Sequence, residues 1–506
     1  MYFLGFDIGT SGTKALLITD AGVPIASSNS GYPLSTPRPL WAEQNPDDWW
    51  EAVVKTSREV VAKAGIHPDE IGGIGLSGQM HGSVFLDSHG SVIRPAILWC
   101  DQRTEEECRW ITEQVTQEAL PDLIANPVLT GFTAPKIVWL RNHEPENYAR
   151  VAKVLLPKDY IRFRLTGEFF TEVSDASGTA LFDVRHRTWS ERMLLATSIP
   201  SDWMPPCAES YEITARVSEQ GAAECGLAVG TAVAGGGGDQ AAGAVGSGIV
   251  ESGIVSTTIG TSGVVFAHSD KFAIDPQMRI HTFCHAVPGK WHSMGVVLSA
   301  GGSLRWLRDT FYVSETKSEM EHGRDPYDLI MRDAAGVPAG AEGLVFLPYL
   351  TGERTPYPDP TARGSFVGIT LRHTRAHFAR AVLEGVAFAL NDTFQIFSSL
   401  GIPINEVRAS GGGGKSPLWR QILADVTRFE HRTLNIDEGP ALGAALLAMV
   451  GTGRFGSVAE ACATVISTVT SDTPNSSRFN TYREINTVYT KLYPVLKEPF
   501  QVLTKL

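Results

Sequence analysis

One short stretch is spelled almost twice in this chain. Phe6-Asp7-Ile8-Gly9-Thr10-Ser11-Gly12 is echoed about half the chain later by Thr257-Thr258-Ile259-Gly260-Thr261-Ser262-Gly263. In each copy an apolar strand enters an Ile-Gly-Thr-Ser-Gly turn and an apolar strand leaves it, over residues 15–18 and 264–267. Glycines allow close backbone approach, and the turn amides and hydroxyls can donate to phosphate oxygens. A duplicated hairpin with a phosphate-sized turn predicts two similar domains facing one cleft. The repeat is too widely spaced for a solenoid, and 506 residues suit two or three domains.

The first copy opens a β-meander: residues 2–8, then 15–18, then, after Asp20-Ala21-Gly22, residues 23–27. A helix is predicted next. Asn45 can cap it, Pro46 suits its first position, and Asp47 and Asp48 complement its positive end. Trp50, Val53, Val54, Val60 and Val61 form its apolar stripe, and Gly65 ends it. Residues 71–76 read as a buried strand. Helices alternating with short apolar strands indicate an α/β architecture.

Composition excludes several classes. The net charge of −12 and the lack of any Lys/Arg run longer than two argue against nucleic acid as a partner. No uncharged apolar run reaches the roughly 18 residues of a membrane helix, and the first residues do not read as a signal peptide. The six cysteines are scattered without metal-finger spacing, as expected in a reducing, cytoplasmic setting.

Four constellations can carry chemistry. The first is Asp7 with Thr10, Ser11 and Thr13: a phosphate turn beside a carboxylate that can hold Mg²⁺ through water. An outward-facing hairpin turn is the alternative. The second is Gly235-Gly236-Gly237-Gly238-Asp239, followed by a helix-forming Ala/Gly run. Asp239 then sits near a helix N-terminus, which favours an ionised carboxylate able to accept a hydroxyl proton; a simple helix cap is the alternative. The third is Ser410-Gly411-Gly412-Gly413-Gly414-Lys415-Ser416-Pro417, a glycine loop between strand and helix that suits a nucleotide. Ala409 breaks the Walker pattern, and Lys415 is expected in solvent. The fourth is Gln79-Met80-His81 after the 71–76 strand, whose polar groups can hydrogen-bond sugar hydroxyls. Trp99 and Asp101 can line the same pocket. The match of residues 73–78 to GxGxxG lies within the strand itself, which argues against a dinucleotide site.

These pieces together resemble the FGGY carbohydrate kinases of the actin/hexokinase-like superfamily. Residues 131–140 are similar to the family's first signature, and residues 364–384 to its second. Ser77–Gly82, Trp41–Gln44, residues 155–160 and residues 352–356 resemble the branch that phosphorylates pentuloses such as D-xylulose. Cys100 departs from that pattern, standing where some relatives carry Asn. The resemblance implies two actin/hexokinase-like (ribonuclease H-like) domains around a central cleft, with ATP and Mg²⁺ as cofactors. It implies Asp239 as proton acceptor, Asp7 near Mg²⁺ and the phosphates, Met80 and His81 on the ketose, and Gly260, Thr261 and Gly411, Gly412, Gly413 on ATP.

The domains are expected at 1–233 (sugar-binding), 234–470 (ATP-binding) and 471–506. The last is a helix with Ile485, Val488, Tyr489 and Leu492 on one face, expected to pack back on the first domain. Small-molecule ketose and ATP are the expected partners; a homodimer is compatible with the sequence. Kinases for L-xylulose, ribulose or glycerol remain alternatives, as do an actin-like ATPase switch and a catalytically silent sugar sensor.

Overall fold

The computed structural model describes residues 1–505. Two seven-stranded mixed sheets carry the molecule. In the first, strands Tyr2–Ile8, Gly12–Thr19 and Pro24–Gly31 form the meander, and Ile71–Gly78 pairs parallel to Tyr2–Ile8. In the second, Gly253–Ile259 and Gly263–Ser269 form the matching hairpin, and Ile404–Ser410 pairs parallel to Gly253–Ile259. The repeat therefore extends to a third strand, and each of these parallel strands ends in a polar loop at the cleft. Helix Pro46–Ala64 has Asn45 as its cap, accepting from the Asp47 amide, and Gly65 ends it in the left-handed region at φ 66°.

The two halves are not autonomous. Helix Gly439–Gly451, from late in the chain, is buried almost throughout. It lies between the first sheet and helix Asp239–Gly246, in a cluster that joins Phe3, Leu16 and Val245 to Leu442 and Leu446. Small residues make the contact possible. A Cβ on Gly75 would stand 1.8 Å from the Ala444 carbonyl oxygen, and one on Gly443 would stand 1.8 Å from that of Ala242.

Two boundary expectations are corrected. The glycine run does not part the domains: Ala232 and Val233 pair with Gly73 and Ile74, and Gly237 and Gly238 pair with Ser77 and Gly78. Residues that look like a linker by composition are strands, left without side chains so that they can lie close to a neighbour. The chain crosses to the second sheet between 247 and 252. The final helix, Phe479–Leu503, packs on the second domain and not the first. Its buried stripe is Tyr482, Tyr489, Tyr493 and Phe500, whereas Val488 is exposed. The Tyr482 hydroxyl donates to Glu384, and Tyr489 meets Tyr349 and Phe388. Tyrosines here serve as core residues with a hydrogen-bonding tip, which an aliphatic stripe pattern does not reveal. No helix among the described residues is long and apolar enough to cross a membrane.

Gly75→Ala is expected to destabilise the fold by about 3 kcal/mol, because backbone must move to admit the methyl group. A urea unfolding midpoint equal to that of the unaltered protein would contradict the close approach.

Candidate active site

Three cavities adjoin one another through shared wall residues. The first, about 210 Å³, is walled by Met80, His81, Trp99, Phe132, Asp239 and Arg354. The second, about 460 Å³, takes in Asp7, Lys14, Asp239, Thr258, Ser410 and Gly411. The third, about 590 Å³, is lined by Gly260, Thr261, Tyr327, Gly412, Gly413 and Trp419 among others. Asp239 and Gln240 border both the first and the second. Lys415 borders both the second and the third.

Asp239 is the first residue of helix Asp239–Gly246. Its position near the helix N-terminus predicts a low pKa, but burial and the charge of Asp7 outweigh that and push the carboxyl up to about 7. Burial likewise raises Asp7 to about 6, with Lys14 opposing. Asp7 Oδ1 is buried without a hydrogen-bond partner in the protein. A free carboxylate oxygen beside a phosphate-sized space fits a hydrated Mg²⁺, which keeps several of its waters. Lys14 also pairs with Glu438 across the mouth of the second cavity.

His81 has φ 69° and a fixed tautomer. Its Nδ1–H donates to the Gly178 carbonyl at 2.7 Å, and burial lowers its pKa to about 3. The ring is therefore neutral at pH 7, and Nε2 is left as an acceptor. Lys136, which lies in the 131–140 segment but was given no role there, supports it from behind by donating to the His81 and Gly131 carbonyls at 2.9 and 2.6 Å. Burial brings this ammonium down to about 7.

Several expected site residues have other work. Gln79 is buried and acts as a strut: its Nε2 donates to Gln44 at 3.0 Å, and its Oε1 accepts from Thr10 at 3.2 Å. Trp99 Nε1 donates to the same Thr10 hydroxyl at 2.9 Å, which ties the first cavity's wall to the phosphate hairpin. Asp101 is fully buried, accepting from the Ala42 amide at 2.6 Å and Arg103 at 2.7 Å. Thr13 is buried against Tyr32, whose hydroxyl donates to the Gly9 carbonyl, while Ser11 is exposed at the hairpin tip. Gln79, Asp101 and Thr13 thus shape the walls rather than face a cavity. Lys415 is exposed, as expected, and Ser416 caps helix Pro417–Thr427. The sequence reading missed Lys14, Gln240, Thr258 and Phe132 as cavity residues. Gln240 was within reach of it as Asp239's neighbour, and Thr258 as the repeat's counterpart of Asp7.

The Asp239 carboxylate on the wall between two ligand-sized spaces, with Asp7 beside it in the second, fits a two-domain phosphotransferase of the actin/hexokinase-like fold. Residues 2–246 match the N-terminal domain of the FGGY family of carbohydrate kinases, and residues 255–452 match its C-terminal domain. The chain is 40% identical to the xylulose kinase of Escherichia coli, over 98% of this chain and 99% of that protein. It is 37% identical to the xylulose kinase of Bacillus subtilis, over 98% and 97%. The crystal structure of xylulose kinase from Rhodospirillum rubrum superposes with a TM-score of 0.91 at 31% identity, covering 99% of this chain and 100% of that one. The chain belongs to the FGGY family of carbohydrate kinases. It is a carbohydrate kinase, with a sugar and ATP as its substrates.

Folding raises the Asp239 pKa from 3.8 to about 7. Over that interval the unfolded chain releases a proton that the folded protein keeps. This group's contribution to stability is full below pH 3.8 and is lost as pH rises through about 7. Asp239→Asn is therefore expected to gain about 4 kcal/mol at pH 8 and less than about 1 kcal/mol near pH 4. Thermal melts at both pH values check this, and a lower melting temperature for the variant at pH 8 would contradict it.

Proposed function

We propose that the enzyme transfers the γ-phosphoryl group of ATP to the terminal hydroxyl of D-xylulose, giving D-xylulose 5-phosphate and ADP. The observation that carries the reading is the place of Asp239, on the wall shared by the first and second cavities. The near full-length similarity to xylulose kinases supports the choice of sugar.

The sugar lies in the Met80–His81 cavity, the phosphates in the Asp7–Lys14 cavity, and the nucleoside against Gly412, Gly413 and Trp419. Ionised Asp239 accepts a hydrogen bond from the attacking hydroxyl and aims its oxygen at the γ-phosphorus. The new P–O bond forms as the bond to ADP breaks, in line and through a loose transition state. The hydroxyl proton passes late to Asp239, then to solvent. Neutral His81 accepts from a second sugar hydroxyl through Nε2 and holds the chain of the ketose in register. Asp7 would hold a hydrated Mg²⁺, which would supply positive charge beside the transferring phosphates. Lys14 adds a positive charge on the same side. Closure of the two domains excludes water that would otherwise accept the phosphoryl group.

ADP release from MgATP is expected to depend on D-xylulose and to be much weaker with L-xylulose, D-ribulose, L-ribulose or glycerol. Asp239→Asn is expected to lower kcat by about 10³-fold. Equal ADP release with every sugar and with none would overturn the reading.

A further inference from the structure

Arg354 borders the sugar cavity from the second domain, facing Met80, His81, Trp99 and Phe132 of the first. The reaction described above makes no use of it. Arginines elsewhere in the interior have acceptors: Arg103 pairs with Asp101 and Glu43, Arg380 with Glu384, and Arg420 with Asp472. Among the described residues, the only hydrogen bond of Arg354 is through its backbone N–H, which donates to Glu353 Oε1 at 2.7 Å. Glu353 does not neutralise the guanidinium. Its Oε1 is spent on the Leu298 and Arg354 amides, and burial pushes its carboxyl up to about 8. The guanidinium is half-buried at the cavity wall with no acceptor in the protein, so its N–H groups remain free to donate to a ligand.

The loop presents Arg354 rigidly. Thr355 N donates to the Val296 carbonyl at 3.0 Å, and the Val296 amide donates to Thr355 Oγ1 at 3.1 Å. Thr355 Oγ1 in turn donates to the Arg279 carbonyl at 3.0 Å. The loop is thereby stitched to strand Trp291–Val297, which forms the cavity's floor.

The cavity also has a direction. The positive charge of Arg354 bears on His81 and His281, whereas the charge that bears on Asp239 is Asp7. The reacting hydroxyl meets an acceptor at the Asp239 end. A ketose placed with its terminal hydroxyl there directs its carbonyl oxygen and C1 hydroxyl away from it, towards the guanidinium. A planar fork of N–H donors suits two adjacent oxygens. We infer that Arg354 is a specificity-determining residue that donates to the C2 carbonyl and C1 hydroxyl oxygens of the bound ketose, so that the sugar bridges the two domains. The inference rests on the D-xylulose reading.

The test compares D-xylulose with 1-deoxy-D-xylulose, using the unaltered enzyme, Arg354→Met and Arg354→Lys. The unaltered enzyme should prefer D-xylulose by about 10-fold or more in kcat/KM. Arg354→Met should raise the KM for D-xylulose by about 10–100-fold, leave the KM for ATP within about 2-fold, and shrink the preference to about 2-fold. Its melting temperature should change little, because the guanidinium makes no hydrogen bond or ion pair within the protein. Arg354→Lys should fall between the two. Undiminished preference in Arg354→Met overturns the inference, whether or not its melting temperature falls. If the Met variant does not fold, undiminished preference in Arg354→Lys overturns it. Absence of D-xylulose turnover in the unaltered enzyme would instead sink the substrate assignment, and this inference with it.

Discussion

The site depends on how closely one helix can approach a sheet. Helix Gly439–Gly451 is pressed against strands Tyr2–Ile8 and Ile71–Gly78 on one side and helix Asp239–Gly246 on the other, in contacts where a single added methyl group meets a carbonyl oxygen. The strand carries Asp7 and the helix carries Asp239. Their separation is therefore set by backbone packing that cannot be adjusted by rotating side chains. The same helix comes from the second half of the chain, so the first half cannot form the wall that carries Asp239 without it.

From that seam the electrostatics follow. Two carboxylates border one cavity, and burial raises both above the ordinary carboxylate range, with the charge of Asp7 adding to the rise at Asp239. This costs folding stability at neutral pH, as strained functional sites often do. It also leaves Asp239 with a proton affinity near the working pH and Asp7 with an oxygen free for a hydrated cation. Around them the walls are braced by side chains that never face a ligand. Gln44, Gln79 and Trp49 tie the first hairpin to its neighbours, and Thr10 joins that network to Trp99.

Much of this was legible in the sequence. The repeated turn gave the two hairpins and their shared cleft, since glycine placement and apolar flanks are local signals. Asp239 stood out because four glycines before a helix have no packing value. What local signals could not give was direction. Gln79 lies beside Met80 in sequence, but in the turn that follows strand Ile71–Gly78 its side chain joins a polar network, while Met80 and His81, the latter with φ 69°, reach the cavity. Asp101 is claimed by Arg103 two residues on, and Arg354 enters the Met80–His81 cavity from far along the chain. The glycine run reads as a linker, because composition alone does not separate a flexible segment from a strand that must pass close to another. The last helix was placed on the wrong domain because its buried residues are tyrosines.

The most direct test of the central claim is a crystal structure of the closed complex with D-xylulose, Mg²⁺ and a non-hydrolysable ATP analogue. The account predicts an Asp239 carboxylate oxygen within about 2.6–3.2 Å of the terminal hydroxyl, with that hydroxyl in line with the γ-phosphorus. A sugar bound with its terminal hydroxyl away from Asp239, or with another side chain in hydrogen-bonding contact with the attacking oxygen in its place, would contradict it.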